Sequence, residues 1–350
     1  MANRIRQLRS VFARNNIDCL LVPSDVNITY LTGFPASESW LLVCPRRAFY
    51  LTDFRYILEA KKGLKAVTVK RYTRSIIELL YQCAREQKCR NLGVDERHIT
   101  HAQYIQLRQR CPKWVRLVKA NGLVEHFREV KDAGEIEKVK KALKVHKQAQ
   151  HYLRRIVRPK ISEREVLLKL ENFVKARGAG FSFKPIVASG PNSCYPHARV
   201  SGRKIRNNEP VLIDMGIDVE GYKSDLTRMF FLGKIPNLVT QVNAHVFCAQ
   251  RIAIDRIRPG VPVAEVDGAV RNYLTKNGLG KYFGHALGHG VGLEIHEAPR
   301  LAGNNAADLR PGMIITVEPA VYIPGKFGIR IEDMVLVTKK GCTILSDNID

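Results

Sequence analysis

The sequence predicts an α/β protein, α+β in its second part, built as two domains, and three observations carry that expectation. Its 350 residues exceed what one ordinary core accommodates. Up to about residue 127, strand and helix signals alternate in the manner of a small α/β domain. From Asp132 onward, long amphipathic helices are followed by apolar strands that carry carboxylates. The domains are therefore placed at 1–127 and 128–350.

The chain opens with Arg4, Arg6, Arg9 and Arg14 and no acid before Asp18, a charge pattern shared with organellar presequences. Ile5, Leu8, Val11 and Phe12 recur at helical spacing, which predicts the first helix of the fold instead. Asp18–Ser24, Ser39–Cys44, Ala48–Asp53, Lys65–Tyr72, Asn91–Asp95 and Trp114–Lys119 read as strands. Ser75–Gln87 and Ile99–Arg110 read as helices. This first domain shows no Gly-rich phosphate loop and no metal-ligand cluster, so it is expected to be a scaffold or oligomerisation domain walling one side of a site.

Glu135–Val157 follows as a long helix with Ile136, Val139, Leu143 and Val145 on its apolar side. Ser162-Glu-Arg-Glu165 is a capping box opening a second helix, which stops near Gly178. A polar loop, Ser189 to His197, contains Cys194 three residues before His197. That spacing in a Gly/Pro/Asn-rich loop does not make a nucleophile–base dyad.

Val211–Leu232 is apolar enough to be buried, yet carries Asp214 and Asp225 on either side of Glu220-Gly221. If that pair closes a two-residue hairpin, Val219 faces Tyr222, Asp225 faces Gly216 and Asp214 faces Thr227. Both aspartates then project from one face on a diagonal, at roughly 7 Å between Cβ atoms. Two carboxylates aimed at one buried point repel each other unless a cation lies between them.

After two more helices, near 237–257 and 263–277, the stretch GHALGHGVGLEIHEAP places His285, His289 and His296 within twelve residues among glycines. A lone histidine is more often a packed core residue; three so placed reverse that expectation. Met313–Pro319 and Gly328–Val337 are apolar strands flanking a Pro-Gly turn. Alternation puts Thr316 and Glu318 on one face, and Arg330 and Glu332 on another, opposite Ile329 and Ile331. A glutamate buried in each strand is expensive unless paired. Four carboxylates and one imidazole suit a pair of divalent ions, Mn²⁺ ahead of Zn²⁺ or Co²⁺, and not a Cys-rich structural zinc. Such ions lie about 3.5–4 Å apart and acidify the water between them, which serves hydrolysis.

The remaining features exclude rather than assign. No apolar run approaches the ~20 residues of a membrane-spanning helix. The eight cysteines are scattered without a CxxC pair and read as buried thiols of a reducing, cytoplasmic compartment. The net charge of +24 is spread evenly: residues 1–130 hold 23 Lys and Arg against 11 Asp and Glu, and the rest hold 34 against 22. Nonspecific polyanion contact follows from that charge, but not sequence reading of nucleic acid.

Taken together, SGPNSCYPHA, VLIDMGIDVEGYKSDLTRMFFLG, GHALGHGVGLEIHEAP, GMIITVEPAVYIPG and GIRIED resemble, in order and spacing, the signatures of the Xaa-Pro peptidases (aminopeptidase P and prolidase). These belong to the pita-bread metallopeptidases, with methionine aminopeptidase and creatinase. The similarity covers the chain from about residue 130, and Asn27-Ile-Thr-Tyr-Leu-Thr-Gly33 looks like part of the creatinase-type N-terminal domain. The resemblance implies a small N-terminal creatinase-like α/β domain and a C-terminal pita-bread catalytic domain. It implies Asp214, Asp225, His289, Glu318 and Glu332 as metal ligands, with Asp225 and Glu332 bridging both ions, Asp214 completing one, and His289 with Glu318 the other. His197 and His296 match histidines that contact substrate and stabilise the tetrahedral intermediate. His285 and Arg330 match positions behind the ligands, with Arg330 holding a carboxylate. Cys194 and Ala320 depart from the small residue and the glycine usual there, without removing a functional group.

The implied reaction is attack of a metal-bridging hydroxide on the carbonyl of a residue preceding proline, with Glu318 as proton acceptor. The substrates would be proline-containing peptides or dipeptides, and the space beyond proline would be shaped by loops and a partner subunit, so a homodimer is expected. Creatinase works without metal and lacks the ligand set; methionine aminopeptidase normally lacks the N-terminal domain. A noncatalytic pita-bread module that binds protein or nucleic acid would suit the charge, but such modules typically lose ligands.

Overall fold

The alternating signals of the first part of the chain resolve into a single mixed sheet in the computed structural model, which describes residues 2–347 and 349. The chain divides into two units, Met1–Arg128 and Glu129–Asp350. In the first, β1 (Cys19–Val22), β2 (Trp40–Val43), β3 (Ala48–Thr52), β4 (Thr68–Arg71), β5 (Asn91–Val94) and β6 (Arg116–Lys119) lie in the order β4-β3-β2-β1-β5-β6. The inner pairs β1–β2 and β2–β3 are antiparallel, and the outer pairs are parallel. β1, β2 and β3 are buried along their whole length, as expected of strands covered on both faces.

Around this sheet run α1 (Ala2–Arg9), α2 (Asp25–Thr32), α3 (Ile57–Gly63), α4 (Ile76–Glu86), α5 (His101–Gln109) and α6 (Leu123–Arg128). α1 buries Ile5 and Leu8, and α4 and α5 lie where the periodicity predicts helices. α2, α3 and α6 have no such signal. α2 reads DVNITYLT, rich in β-branched residues, with polar Asn27 and Thr32 buried beside Ile28, Tyr30 and Leu31, so it shows no helical period. Ser24 caps its start, and Gly33 ends it at φ 70°. α3 and α6 have only seven and six residues, too short for a period to show.

The second unit repeats one plan twice: two helices packed on a carboxylate-bearing hairpin. α7 (Ala133–Ile156) and α8 (Glu163–Lys175) are both opened by capping boxes, Asp132 with Glu135 and Ser162 with Glu165. They pack through Leu153, Val166 and Leu170 onto Val187, Val211 and Ile213. Those residues belong to β8 (Ile186–Ser189) and β9 (Glu209–Met215), which follow the short β7 (Gly180–Phe181). β10 (Ile217–Val219), β11 (Tyr222–Lys223) and β12 (Leu226–Leu232) complete this half.

In the second half, α9 (Asn237–Ile254) and α10 (Val263–Lys276) pack through Val246, Val266 and Val270 onto Ile315, Ile329 and Val335. The strands here are β13 (Gly288–Gly290), β14 (Glu297–Leu301), β15 (Ile314–Val317), β16 (Ala320–Ile323), β17 (Phe327–Arg330), β18 (Asp333–Val337) and β19 (Cys342–Ile344). Five of them form a sheet in the order β14-β13-β15-β18-β19, and β16 and β17 form a separate ribbon.

The first hairpin has the expected pairing, and the second departs from its expected strands. In the first, Val219 pairs with Tyr222 and Thr227 with Asp214. The turn residues Glu220 and Gly221 have φ 55° and 82°, as a type I′ turn requires. Pairing ends at Leu226↔Met215 and resumes at Asp218↔Lys223 with no residue inserted, so Asp225 stands opposite Gly216. In the second, the single strand expected over Gly328–Val337 is two, β17 and β18, interrupted at Ile331-Glu332, and β16 is an additional strand. The interruption has a physical cause: Pro319 has no N–H for the ladder, and here the chain passes from the five-stranded sheet to the two-stranded ribbon. Register survives it, because pairing ends at Val317↔Asp333 and resumes at Ala320↔Arg330. Glu318 therefore stands directly opposite Glu332.

Candidate metal centre and active site

The interruptions in the two hairpins open onto one cavity of about 660 Å³, and all nine residues singled out from the sequence line it. They are graded by depth. Asp214, Asp225, Arg330 and Glu332 are buried, His285, His289 and Glu318 are partly so, and His197 and His296 are exposed at the mouth.

At the base, one donor atom each from Asp225, His289 and Glu332 lie within 4.8 Å of one another. The His289 Nε2 atom is 3.6 Å from Asp225 Oδ2 and 3.5 Å from Glu318 Oε1. Those separations are too long for good hydrogen bonds, and they match two ligands of one ion held at about 2.1 Å. Gly290 O can only accept, so the His289 Nδ1–H donates to it at 3.1 Å and leaves the Nε2 lone pair facing the carboxylates. Thr316 Oγ1 accepts from the His289 backbone N–H at 3.1 Å, which fixes the residue from behind.

Arg330 organises the carboxylates. Its Nη2 donates to Asp214 Oδ2 at 2.6 Å, and its Nε donates to Thr227 Oγ1 at 2.9 Å. Thr227 in turn donates to Glu332 Oε2 at 2.8 Å. Nη1 donates to the Tyr322 hydroxyl and to Pro196 O. Tyr322 OH lies 3.2 Å from His285 Nε2, whose Nδ1–H donates to Ala286 O. One guanidinium thus joins carboxylates of both hairpins to the His285 side.

The electrostatics are those of a site short of positive charge. Burial raises the Asp214 pKa against the pull of Arg330. Burial, then repulsion from Glu332, Asp214 and Glu318, holds Asp225 well above the usual carboxylate range. Glu332 is held well above it by burial and then by Glu318 and Asp214. Burial pushes Glu318 up to about 8. Burial, reinforced by His296, lowers His289 to about 4, so its imidazole is neutral and able to ligate. Burial works against the Arg330 charge, but Tyr322 and three carboxylates overcome it and raise its pKa well above the ordinary value. Asp214 Oδ1 is buried with no hydrogen-bond partner. An orphaned carboxylate oxygen, four acids against one arginine and a correctly oriented imidazole together fit a divalent-ion centre.

Three participants were given no functional role from the sequence: Tyr322, Thr227, which was placed opposite Asp214, and Thr316, which was placed on the face of Glu318. Period-two alternation does mark them, since Thr227 lies two residues beyond Asp225, and Thr316 and Tyr322 flank Glu318 at even spacing. Lys184, Arg199 and Arg300 also line the cavity and carry no signal of that kind.

The first unit corrects another expectation. It does bring Asp95, His98 and Glu125 within metal-ligand range of one another. Their oxygens are already engaged: Arg97 holds Asp95 and pairs with Glu125, while Asn27 and His98 bond Glu125 Oε1. The cluster is an ion-pair network built around Arg97, in which Glu125 Oε2 has that ion pair at 3.0 Å but no hydrogen bond, and only Glu125 lies far from the other members in sequence.

Comparison with known proteins agrees with this geometry. Residues 137–339 match the model of metallopeptidase family M24, and residues 4–130 match the creatinase/prolidase N-terminal domain. An uncharacterized peptidase of Bacillus subtilis is 34% identical, over 97% of this chain and 96% of its own. The structure of an Xaa-Pro dipeptidase from Bacillus anthracis superposes with a TM-score of 0.95 at 34% identity, covering 99% of this chain and 97% of that one. The X-Pro aminopeptidase of Thermotoga maritima gives a TM-score of 0.88 at 30% identity, with 96% and 97% covered. With five potential ligands in one cavity and both domain signatures in sequence order, the chain belongs to metallopeptidase family M24.

Proposed function

We propose that the protein hydrolyses the bond between an N-terminal residue and proline in short peptides, using two divalent ions, Mn²⁺ ahead of Zn²⁺ or Co²⁺. The observation that carries the reading is the convergence of Asp214, Asp225, His289, Glu318 and Glu332 on one cavity, with Asp214 Oδ1 unpartnered. The Xaa-Pro specificity is supported by the naming of the structural neighbours as Xaa-Pro dipeptidase and X-Pro aminopeptidase.

In this reading Asp214, Asp225, His289, Glu318 and Glu332 would hold the ions. Bound there, the ions would supply Lewis acidity and make water nucleophilic near neutral pH. His197 and His296, at the cavity mouth, would donate hydrogen bonds to the oxygen that gains charge as the scissile carbonyl becomes tetrahedral. Glu318, with its pKa pushed up to about 8, would take up and pass on a proton. Arg330, working through Thr227, would keep Asp214 and Glu332 aimed at the centre. A substrate proline lacks the N–H and has a fixed φ, so a pocket shaped for its ring can select bonds that ordinary peptidases handle poorly.

The cations lining the cavity bear on substrate length. Lys184, Arg199 and Arg300 place positive charge on the same walls, which favours a peptide whose free carboxylate lies close to the scissile bond. Among the described residues no helix is long and apolar enough to cross a membrane. A homodimer and a cytoplasmic setting complete the reading.

The test is release of free residues from Ala-Pro and Ala-Pro-Ala by purified protein with Mn²⁺. We expect metal-dependent turnover, faster on Ala-Pro, and its loss in Asp225→Asn together with most of the bound metal. Turnover unaffected by that substitution, or none with any of the three metals, would refute the assignment. Salt-sensitive binding to an oligonucleotide without turnover would favour a noncatalytic module.

A further inference from the structure

Glu163 begins α8, is fully buried at 0% exposure, and plays no part in the carboxylate cluster. Its two oxygens accept from five donors, all of which belong to the loop that carries His197. Ser189 N and Oγ donate to Oε1, each at 2.8 Å. Ser201 N and Oγ donate to Oε2 at 3.1 and 2.7 Å. Asn192 Nδ2 lies between, at 3.1 and 3.2 Å from the two oxygens. The backbone doubles this link, because Arg164 N donates to Ser201 O.

Ser189 and Ser201 are the two ends of the loop, so one carboxylate closes its base. The middle is tied separately to the second half of the domain, by Gly328 N donating to Ser193 Oγ and Arg330 Nη1 to Pro196 O. The segment Tyr195–His197 is exposed and is held by backbone turn bonds, Tyr195 N donating to Asn192 O and Ala198 N to Tyr195 O. The direction of the His197 imidazole is then set by where the loop base and middle are held. Arg203 donates to the Ser189 hydroxyl, but its charge is matched by Glu209, so the donors of the loop, not a salt bridge, satisfy Glu163.

We propose that Glu163 is a positioning residue for His197, acting through the closed base of the 189–201 loop. The inference rests on the peptidase reading for its kinetic arm only. Glu163→Gln keeps the volume but turns one acceptor into a donor that faces donors. It should lower kcat/KM on Ala-Pro by about tenfold or more, with the bound metal per chain unchanged. In a His197→Ala background the same change should cost less than twofold, because the residue it positions is gone. A general loss of structure would cost the same factor in both backgrounds.

A second readout does not depend on activity. In protein carrying ¹³C-labelled histidine, with His197 assigned from its alanine variant, Glu163→Gln should move or broaden the His197 ring signal and leave that of His285 in place. If Glu163→Gln does not fold, Ser201→Ala removes one donor and is measured the same way, with a smaller effect of the same pattern. Equal losses in the two backgrounds, or an unmoved His197 signal, would overturn the proposal. A wild-type protein that leaves both Ala-Pro and Ala-Pro-Ala intact would overturn the peptidase reading instead, and the histidine spectra alone would then decide the role of Glu163.

Discussion

The two carboxylate hairpins of the second unit follow one plan and differ in one offset. In the first, Asp214 and Asp225 sit on a diagonal, since Asp214 pairs with Thr227 and Asp225 stands opposite Gly216. In the second, Glu318 and Glu332 stand directly opposite each other. Like charges directly opposite on a ladder are destabilising, whereas a diagonal pair is farther apart. The first pair also has Arg330 within 2.6 Å of Asp214, whereas the second is reached by that arginine only through Thr227. The second hairpin should therefore depend more on bound cations than the first.

The largest test of that difference is pH dependence after chelation. A carboxylate whose pKa is raised by folding holds its proton more tightly folded than unfolded. The metal-free protein should then lose stability as pH rises from the unfolded pKa near 4 toward the folded value, about 8 for Glu318. The slope is about 1.4 kcal/mol per pH unit for each such proton. Thermal melts of chelated protein between pH 5 and pH 8 should show the fall, and Mn²⁺ should abolish it. Glu332→Gln should flatten the slope more than Asp214→Asn; the reverse order would break the comparison.

A smaller effect is expected at the seam between the hairpins. Thr227→Val keeps the shape but cuts the path from Arg330 to Glu332. Removing a partner that orients a ligand typically costs about 10–100-fold in metal affinity or activity. Titration of the apoprotein with Mn²⁺ would measure it. Affinity equal to wild type would mean that Glu332 is held by its backbone alone.

The smallest effect separates turn from site. Glu220 occupies a left-handed position at φ 55° that asparagine adopts more readily. Its ion pair with Lys141 is half exposed and contributes little. Glu220→Asn should raise stability slightly, read as a small increase in melting temperature, with no change in metal affinity. A change in affinity would show that the turn and the carboxylates are coupled through the hairpin.

Legibility in the sequence followed the range of the interactions. The register of the first hairpin could be read because a two-residue turn and period-two alternation fix it locally. The second was harder: Pro319 and the change of sheet split the expected strand, and β16 escaped notice. α2 gives no helical period because polar Asn27 and Thr32 are buried beside Ile28 and Leu31, while apolar Val26 lies on the half-buried face with Asp25 and Thr29.

By itself, then, the sequence determined the residue types of the centre, the capping box at Ser162 and the pairing of the first hairpin, because these depend on neighbours a few positions apart. Only the tertiary structure decided that Glu318 faces Glu332, that one arginine reaches both hairpins, and that Glu163 closes the loop bearing His197. It likewise paired Lys131 with Glu297, two buried charges 2.8 Å apart and far separated in sequence. Such contacts are set by how sheets and helices stack, and no local period or turn encodes them.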